Sequence, residues 1–348
     1  MACQKQEPDS SFAPLPSART IDPQKQLMFI NERIEDNSFT AEFYYRRAIL
    51  NQEANRYRAG MRDIQAAIRL DSSKSEYHFL RAHILSELNT PRDAINSALT
   101  AEKMGYSGLE LDLLLGKLHF LNQNYGQSLL HLRRARQVSH DNPEISYYFG
   151  AIYAQAEDTA QAFNELDNAL LLDPKNIDAY VTGIQLANKF NRFRKSQQLA
   201  QQSLKNCAPT IDLSYEIAQT LLVTNQVDSA AYWFEKILKE EPESWKASLG
   251  MAKYLIAKKQ YIEAEDYYVN ALEYNPNIEG GYYQLGYIYE YYAKNYEKAL
   301  KYYTKAKRLN RGNEEIMLAV ERAERKKAYK NGYRPRPILQ DTTNQKND

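Results

Sequence analysis

The sequence predicts an all-α fold of stacked helical hairpins, and three observations carry that expectation. The first is punctuation. The 348 residues include only 13 Gly and 12 Pro, and a chain so poor in turn formers is mostly helix. The second is periodicity. Residues 143–176 hold two amphipathic stretches: Phe149, Gly150 and Tyr153 recur at helical spacing in one, and Ala162, Leu166, Ala169 and Leu172 in the other. A short polar turn, QAEDT, separates them, and Pro174 cannot continue the second helix. The same frame slides by 34 residues without a gap, with units starting at Ala41, Ser75, Leu109, Pro143, Ile177, Ile211, Trp245 and Glu279. The eighth unit carries one extra residue, in EYYAKNYEKAL.

The third observation is size. The eighth residue of each unit is small or apolar: Ala48, Ala82, Gly116, Gly150, Ile184, Ala218, Ala252 and Gly286. The twentieth is Gly60, Ala94, Ser128, Ala162, Ser196, Ala230, Ala264 and, after the insertion, Ala299. These are the places where two paired helices cross most closely, so a large side chain there would drive them apart. Bulky residues at position 24, such as Ile64, Leu132, Leu166, Phe234 and Tyr268, fill the space beside the crossing.

Period, small-residue positions and terminal Pro together resemble the tetratricopeptide repeat (TPR) family over residues 41–312. The resemblance implies a right-handed superhelical solenoid of helix–turn–helix repeats with N- and C-terminal capping helices. The chain departs from the family pattern where Ser72, Tyr106, His140 and Ala208 replace the terminal Pro. A repeat cannot bury its apolar face alone, so the array needs polar caps. Residues 21–40 read as the first cap, with Asp22 placed as N-cap and Pro23 in its first turn. Residues 313–330 read as the second, starting at Asn313 and ending in a basic cluster, Arg325, Lys326, Lys327 and Lys330, expected to be a solvated helix end. Residues 1–20 are expected to be a flexible tether and 331–348 a disordered tail.

No chemistry beyond binding is legible. The five histidines have no metal-ligand spacing, and His119 sits where a core histidine is expected. Neither a phosphate loop nor a nucleophile elbow occurs, and no acid is poised against a base. Two cysteines, Cys3 and Cys207, make no disulfide framework. The expectation is a protein without catalytic, metal or cofactor residues and without a small-molecule substrate. A net charge of +1 gives no overall pull toward nucleic acid.

What remains is surface. By family resemblance the first helix of each unit lines a concave groove that holds peptides. Position 5 there reads Tyr45, Phe79, Leu113, Tyr147, Val181, Tyr215, Leu249 and Tyr283, and position 9 includes His83 and Tyr287. Acids occupy position 2 in the first six units, from Glu42 to Asp212. The expected partner-binding set is Tyr45, Phe79, His83, Tyr147, Tyr215, Tyr283 and Tyr287, an aromatic groove with an acidic rim. The expected function is a protein–protein interaction scaffold binding a peptide or partner protein.

The beginning of the chain, Met-Ala-Cys followed by a polar linker, is similar to the junction of a Bacteroidetes-type bacterial lipoprotein. That resemblance implies lipidation of Cys3 and an outer-membrane, cell-envelope assembly factor, given a trimmed or different start. The alternative is a soluble cytoplasmic TPR adaptor or regulator.

Overall fold

The computed structural model describes residues 22–278 and 280–332. The tether with Cys3, and residues 333–348 of the tail, lie outside the described residues. Among the described residues there are eighteen helices and no strand. They fall into two compact units, one ending at Asp173 and the other beginning at Pro174.

In the first unit α1 (Pro23–Asp36) precedes four hairpins: α2 (Ala41–Glu53) with α3 (Tyr57–Leu70), α4 (Ser75–Glu87) with α5 (Pro91–Lys103), α6 (Leu109–Leu121) with α7 (Tyr125–Val138), and α8 (Pro143–Gln155) with α9 (Thr159–Leu172). The second unit has α10 (Ile177–Lys189) with α11 (Phe193–Asn206), α12 (Ile211–Val223) with α13 (Val227–Glu240), α14 (Trp245–Ala257) with α15 (Tyr261–Tyr274), and α16 (Gly281–Tyr291) with α17 (Tyr296–Leu309). It closes with α18 (Glu314–Lys330), packed on α17. Within each unit the second helix of a hairpin packs on the first helix of the next. First helices also touch one another, α2 to α4 to α6 to α8 in one unit and α10 to α12 to α14 in the other, so they share a face.

The size pattern has its cause at the helix crossings. Ala48, Ala82, Ala94, Ala162, Ala218 and Ala230 have no exposed surface at all. Where glycine stands, the partner helix leaves no room for a methyl group. A Cβ on Gly150 would lie 2.7 Å from Leu166, and one on Gly286 would lie 2.5 Å from the Tyr303 ring. Both glycines sit on the first helix of a hairpin and both obstacles on the second. Position 24 is thus the knob, and position 8 the hole it enters.

The turn inside each hairpin is equally regular. Asn55, Asn89, Gln123, Glu157, Asn191, Asn225, Lys259 and Lys294 all have positive φ, between 49° and 63°. Each follows the last turn of a first helix and lets two N–H groups reach back to otherwise unpaired carbonyls. In the α6–α7 turn, Gln123 N–H donates to Phe120 O at 2.9 Å and Asn124 N–H to His119 O at 2.8 Å. The extra residue of the eighth unit widens this turn: Asn295 N–H reaches Tyr289 O, and Ala293 N–H reaches Ile288 O. Four of the eight left-handed positions hold neither Gly nor Asn, although the left-handed conformation costs an ordinary residue about 1 kcal/mol. Gln123→Gly is therefore expected to raise the unfolding free energy by about 1 kcal/mol, read as a higher urea midpoint at unchanged slope. An unchanged midpoint would mean that the turn hydrogen bonds already remove the strain.

The end of the second unit corrects the reading of the basic cluster as a solvated helix end. Glu290 on α16 has no exposed side-chain surface, and α18 brings cations to it. Arg322 Nε lies 2.7 Å from Oε1 and Lys326 Nζ 3.0 Å from the same oxygen, while the Tyr303 hydroxyl donates to Oε2 at 2.8 Å. Lys330 Nζ donates to Lys294 O at the widened turn. Lys326 and Lys330 of the cluster thus help to dock α18, beside its buried Ile316, Ala319, Val320 and Ala323, while Arg325 stays exposed and pairs with Glu321 of its own helix.

Candidate partner-binding face

The first helices present the expected groove residues in different surroundings. In the first unit Phe79 on α4 stacks on Tyr106 with ring centroids 4.3 Å apart, and meets His83 edge-on at 6.1 Å. Both line one recess of about 450 Å³ with Leu80, Leu113 and Leu114 as further apolar wall. Its polar groups are Gln52, Glu110, Lys117 and Glu144. Three consecutive first helices, α4, α6 and α8, supply most of these residues, so a single repeat has no such site.

The His83 imidazole is half-buried and its Nδ1 lies 3.2 Å from Gln52 Nε2. Burial pushes its proton affinity down, with Glu87 opposing and Lys117 assisting. The ring is neutral at neutral pH and offers an acceptor or a donor rather than a charge. Around it the recess pairs two carboxylates, Glu110 and Glu144, with one ammonium, Lys117. An apolar floor with both signs of charge at its edge suits an amphipathic peptide.

The other expected residues do not join that recess. Tyr45 packs on Tyr77 of the next first helix at 4.7 Å, and Tyr147 packs on Tyr148 at 5.0 Å. In the second unit Tyr215 lies 6.2 Å from the Phe234 ring. Burial, and then the neighbouring Glu216, push its hydroxyl up to about 12, so it remains a donor throughout the working range. The Tyr283 hydroxyl donates to Glu315 on α18 at 2.8 Å, which ties it to the closing helix. Tyr287 is the most open of the set and clusters with Tyr291 at 4.5 Å and Tyr292 at 6.0 Å.

Sequence reasoning did not single out Lys117, Glu290 or the αL turns. The signal for Glu290 was available: position 12 is uncharged in every other unit, running Gln52, Ser86, Phe120, Ala154, Asn188, Leu222 and Ile256. His119 is buried as expected of a core histidine, stacked on His131 at 5.7 Å, and His131 Nδ1 meets Asp112 at 2.9 Å. Among the described residues no group of three or more His, Cys, Asp or Glu is placed to hold a metal ion. Among them, too, no helix is long and apolar enough to cross a membrane.

Known structures resemble this arrangement of hairpins. The APC/C hetero-tetramer Cut9–Hcn1 aligns with a TM-score of 0.58 at 17% identity, over 67% of this chain and 46% of that one. A tetratricopeptide repeat protein from Parabacteroides merdae aligns with a TM-score of 0.52 at 16% identity, over 73% of this chain and 99% of that one. The fold is a tetratricopeptide repeat solenoid. Residues 280–313 match the family described as Tetratricopeptide repeat. In sequence, Anaphase-promoting complex subunit 7 of Dictyostelium discoideum is 23% identical over 231 residues, which is 66% of this chain and 39% of that protein. The chain thus spans less than half the length of this curated relative. At these identities the structural likeness is one of fold.

Proposed function

We propose that the protein is a non-catalytic interaction scaffold that holds a peptide or an extended segment of a partner protein along its first-helix face. The recess around Phe79 carries this reading. It is apolar at the floor, charged at both signs along the edge, and assembled from four repeats. Proteins of this fold generally mediate protein–protein contacts, and the Cut9–Hcn1 relative is itself part of a hetero-tetramer.

Phe79→Ala with Leu113→Ala removes the apolar floor while leaving the helix crossings intact. Capture of native partners from source-cell extract is expected to fall at least tenfold, with the circular dichroism unchanged. Undiminished capture would place the binding face elsewhere.

Anchoring in a cell envelope through a lipidated Cys3 is the form of this reading that the Met-Ala-Cys start supports. Intact-mass measurement of the native protein tests it. An unmodified Cys3 ends it and leaves the adaptor without a tether.

A further inference from the structure

The second unit has a recess of about 700 Å³ where the starts of α12 and α14 meet the end of α13 and the turn 241–244. Its walls are aromatic, built from Tyr215, Trp245 and Tyr274. The edge carries three carboxylates, Asp212, Glu241 and Glu243, against one ammonium, Lys246. All four of these side chains are exposed, whereas Tyr215 and Trp245 are half-buried.

Two independent observations point to a positively charged occupant. The first is where Lys246 lies: its Nζ is 5.6 Å from the centre of the Tyr215 ring and 6.0 Å from that of Trp245. Both ring faces therefore already attract a cation, which the negative face of an aromatic ring favours. The second is Glu216, next to Tyr215 on α12. It is only 8% exposed, and it accepts one hydrogen bond, from Gln185 Nε2 at 3.0 Å. Among the described residues no cation lies within ion-pair distance of it. Burial pushes its carboxyl up, and the Gln185 hydrogen bond, then the Lys246 charge, draw it part of the way back. Glu216 does not line the recess, but its buried charge, which Lys246 offsets from there, adds to the negative field that a cation seated in the recess would feel.

We propose that this recess seats the cationic side chain of a partner peptide, an arginine or a lysine, and that Lys246 holds the place in the free protein. The proposal rests on the scaffold reading and names the chemistry of one contact within it. Three carboxylates to one ammonium disfavour an acidic peptide, and the aromatic walls select a cation that brings a flat or methylene surface with it.

The protein has two tryptophans, so Trp233→Phe leaves Trp245 as the only one and its emission as the reporter. The probes are capped Gly-Arg-Gly-Arg-Gly and Gly-Glu-Gly-Glu-Gly peptides, titrated into the full chain. The arginine peptide is expected to change the emission saturably, and more weakly as salt is raised. The glutamate peptide is expected to leave it unchanged. Asp212→Asn, Glu241→Gln and Glu243→Gln together should weaken binding at least fivefold, and Lys246→Ala should tighten it at least threefold by vacating the rings. Equal responses to the two peptides overturn the proposal, as does weaker binding by Lys246→Ala. Should the triple variant lose its circular dichroism, Lys246→Ala decides alone. The scaffold reading is tested separately at Phe79 and Leu113. Failure of the peptide titration with that capture still lost ends this proposal only.

Discussion

Replacing both cations that face Glu290, Arg322→Ala with Lys326→Ala, is expected to cost the second unit about 3–5 kcal/mol, because a buried carboxylate is then left with no compensating charge. Only the Tyr303 hydroxyl would remain on it. Urea unfolding followed by circular dichroism should show part of the transition moving to lower denaturant. Adding Glu290→Gln should recover most of the loss, since a neutral amide needs no counter-charge. Equal stability of the double variant and the wild type would show that α18 docks by apolar packing alone.

The same cluster sets a pH dependence whose sign is fixed. Burial pushes the Glu290 carboxyl up, but the hydrogen bonds from Arg322, Lys326 and Tyr303 outweigh it and hold the acid below its ordinary 4.5. The unfolded chain takes up the proton more readily than the folded one. Stabilisation by the cluster is therefore complete above pH 4.5 and drains away as the pH falls toward the lower folded value. In the double variant the sign reverses. With no cation beside it the buried carboxyl prefers its proton, so mild acid should narrow the gap to the wild type. Melting curves at pH 7 and pH 5 distinguish the two.

Gly150→Val is expected to cost about 3 kcal/mol, at the upper end of what overpacking a core usually does. A Cβ there lies 2.7 Å from Leu166 Cγ and 3.1 Å from the Leu166 backbone nitrogen. The second distance matters more, since a side chain can change rotamer but a helix backbone must move as a body. Leu166→Ala, itself expected to cost about 3 kcal/mol as a fully buried residue, removes the first obstacle and leaves the second. The double variant should be more stable than the sum of the two losses by at least 1 kcal/mol. Strict additivity would show that α8 and α9 separate under either change without meeting at this point.

These two sites mark the limits of what the sequence made legible. The glycine at 150 was readable because its constraint is local and repeats: each unit solves the same crossing, so Gly or Ala returns at 34-residue spacing in every unit but the one that carries Ile184. Glu290 was not readable in the same way. Its partners lie 32 and 36 positions later, on a helix outside the repeat, and an acid among uncharged residues does not say which cation will reach it. The groove lies between these cases. Position 5 was legible as aromatic, yet Phe79 opens on a recess, Tyr45 covers Tyr77 and Tyr283 is spent on Glu315.

By itself, then, the sequence determined the all-α class, the period and the helix crossings, each of which follows from the spacing of small and apolar residues along one helix pair; the face that first helices share was implied only by the family resemblance. Only the tertiary structure decided which aromatics stay open, which charges are buried, and that every hairpin turns through a left-handed residue although none of these is glycine. Those outcomes depend on what the neighbouring repeat or the closing helix brings within a few ångströms. That is a property of the stack, which no single unit of sequence contains.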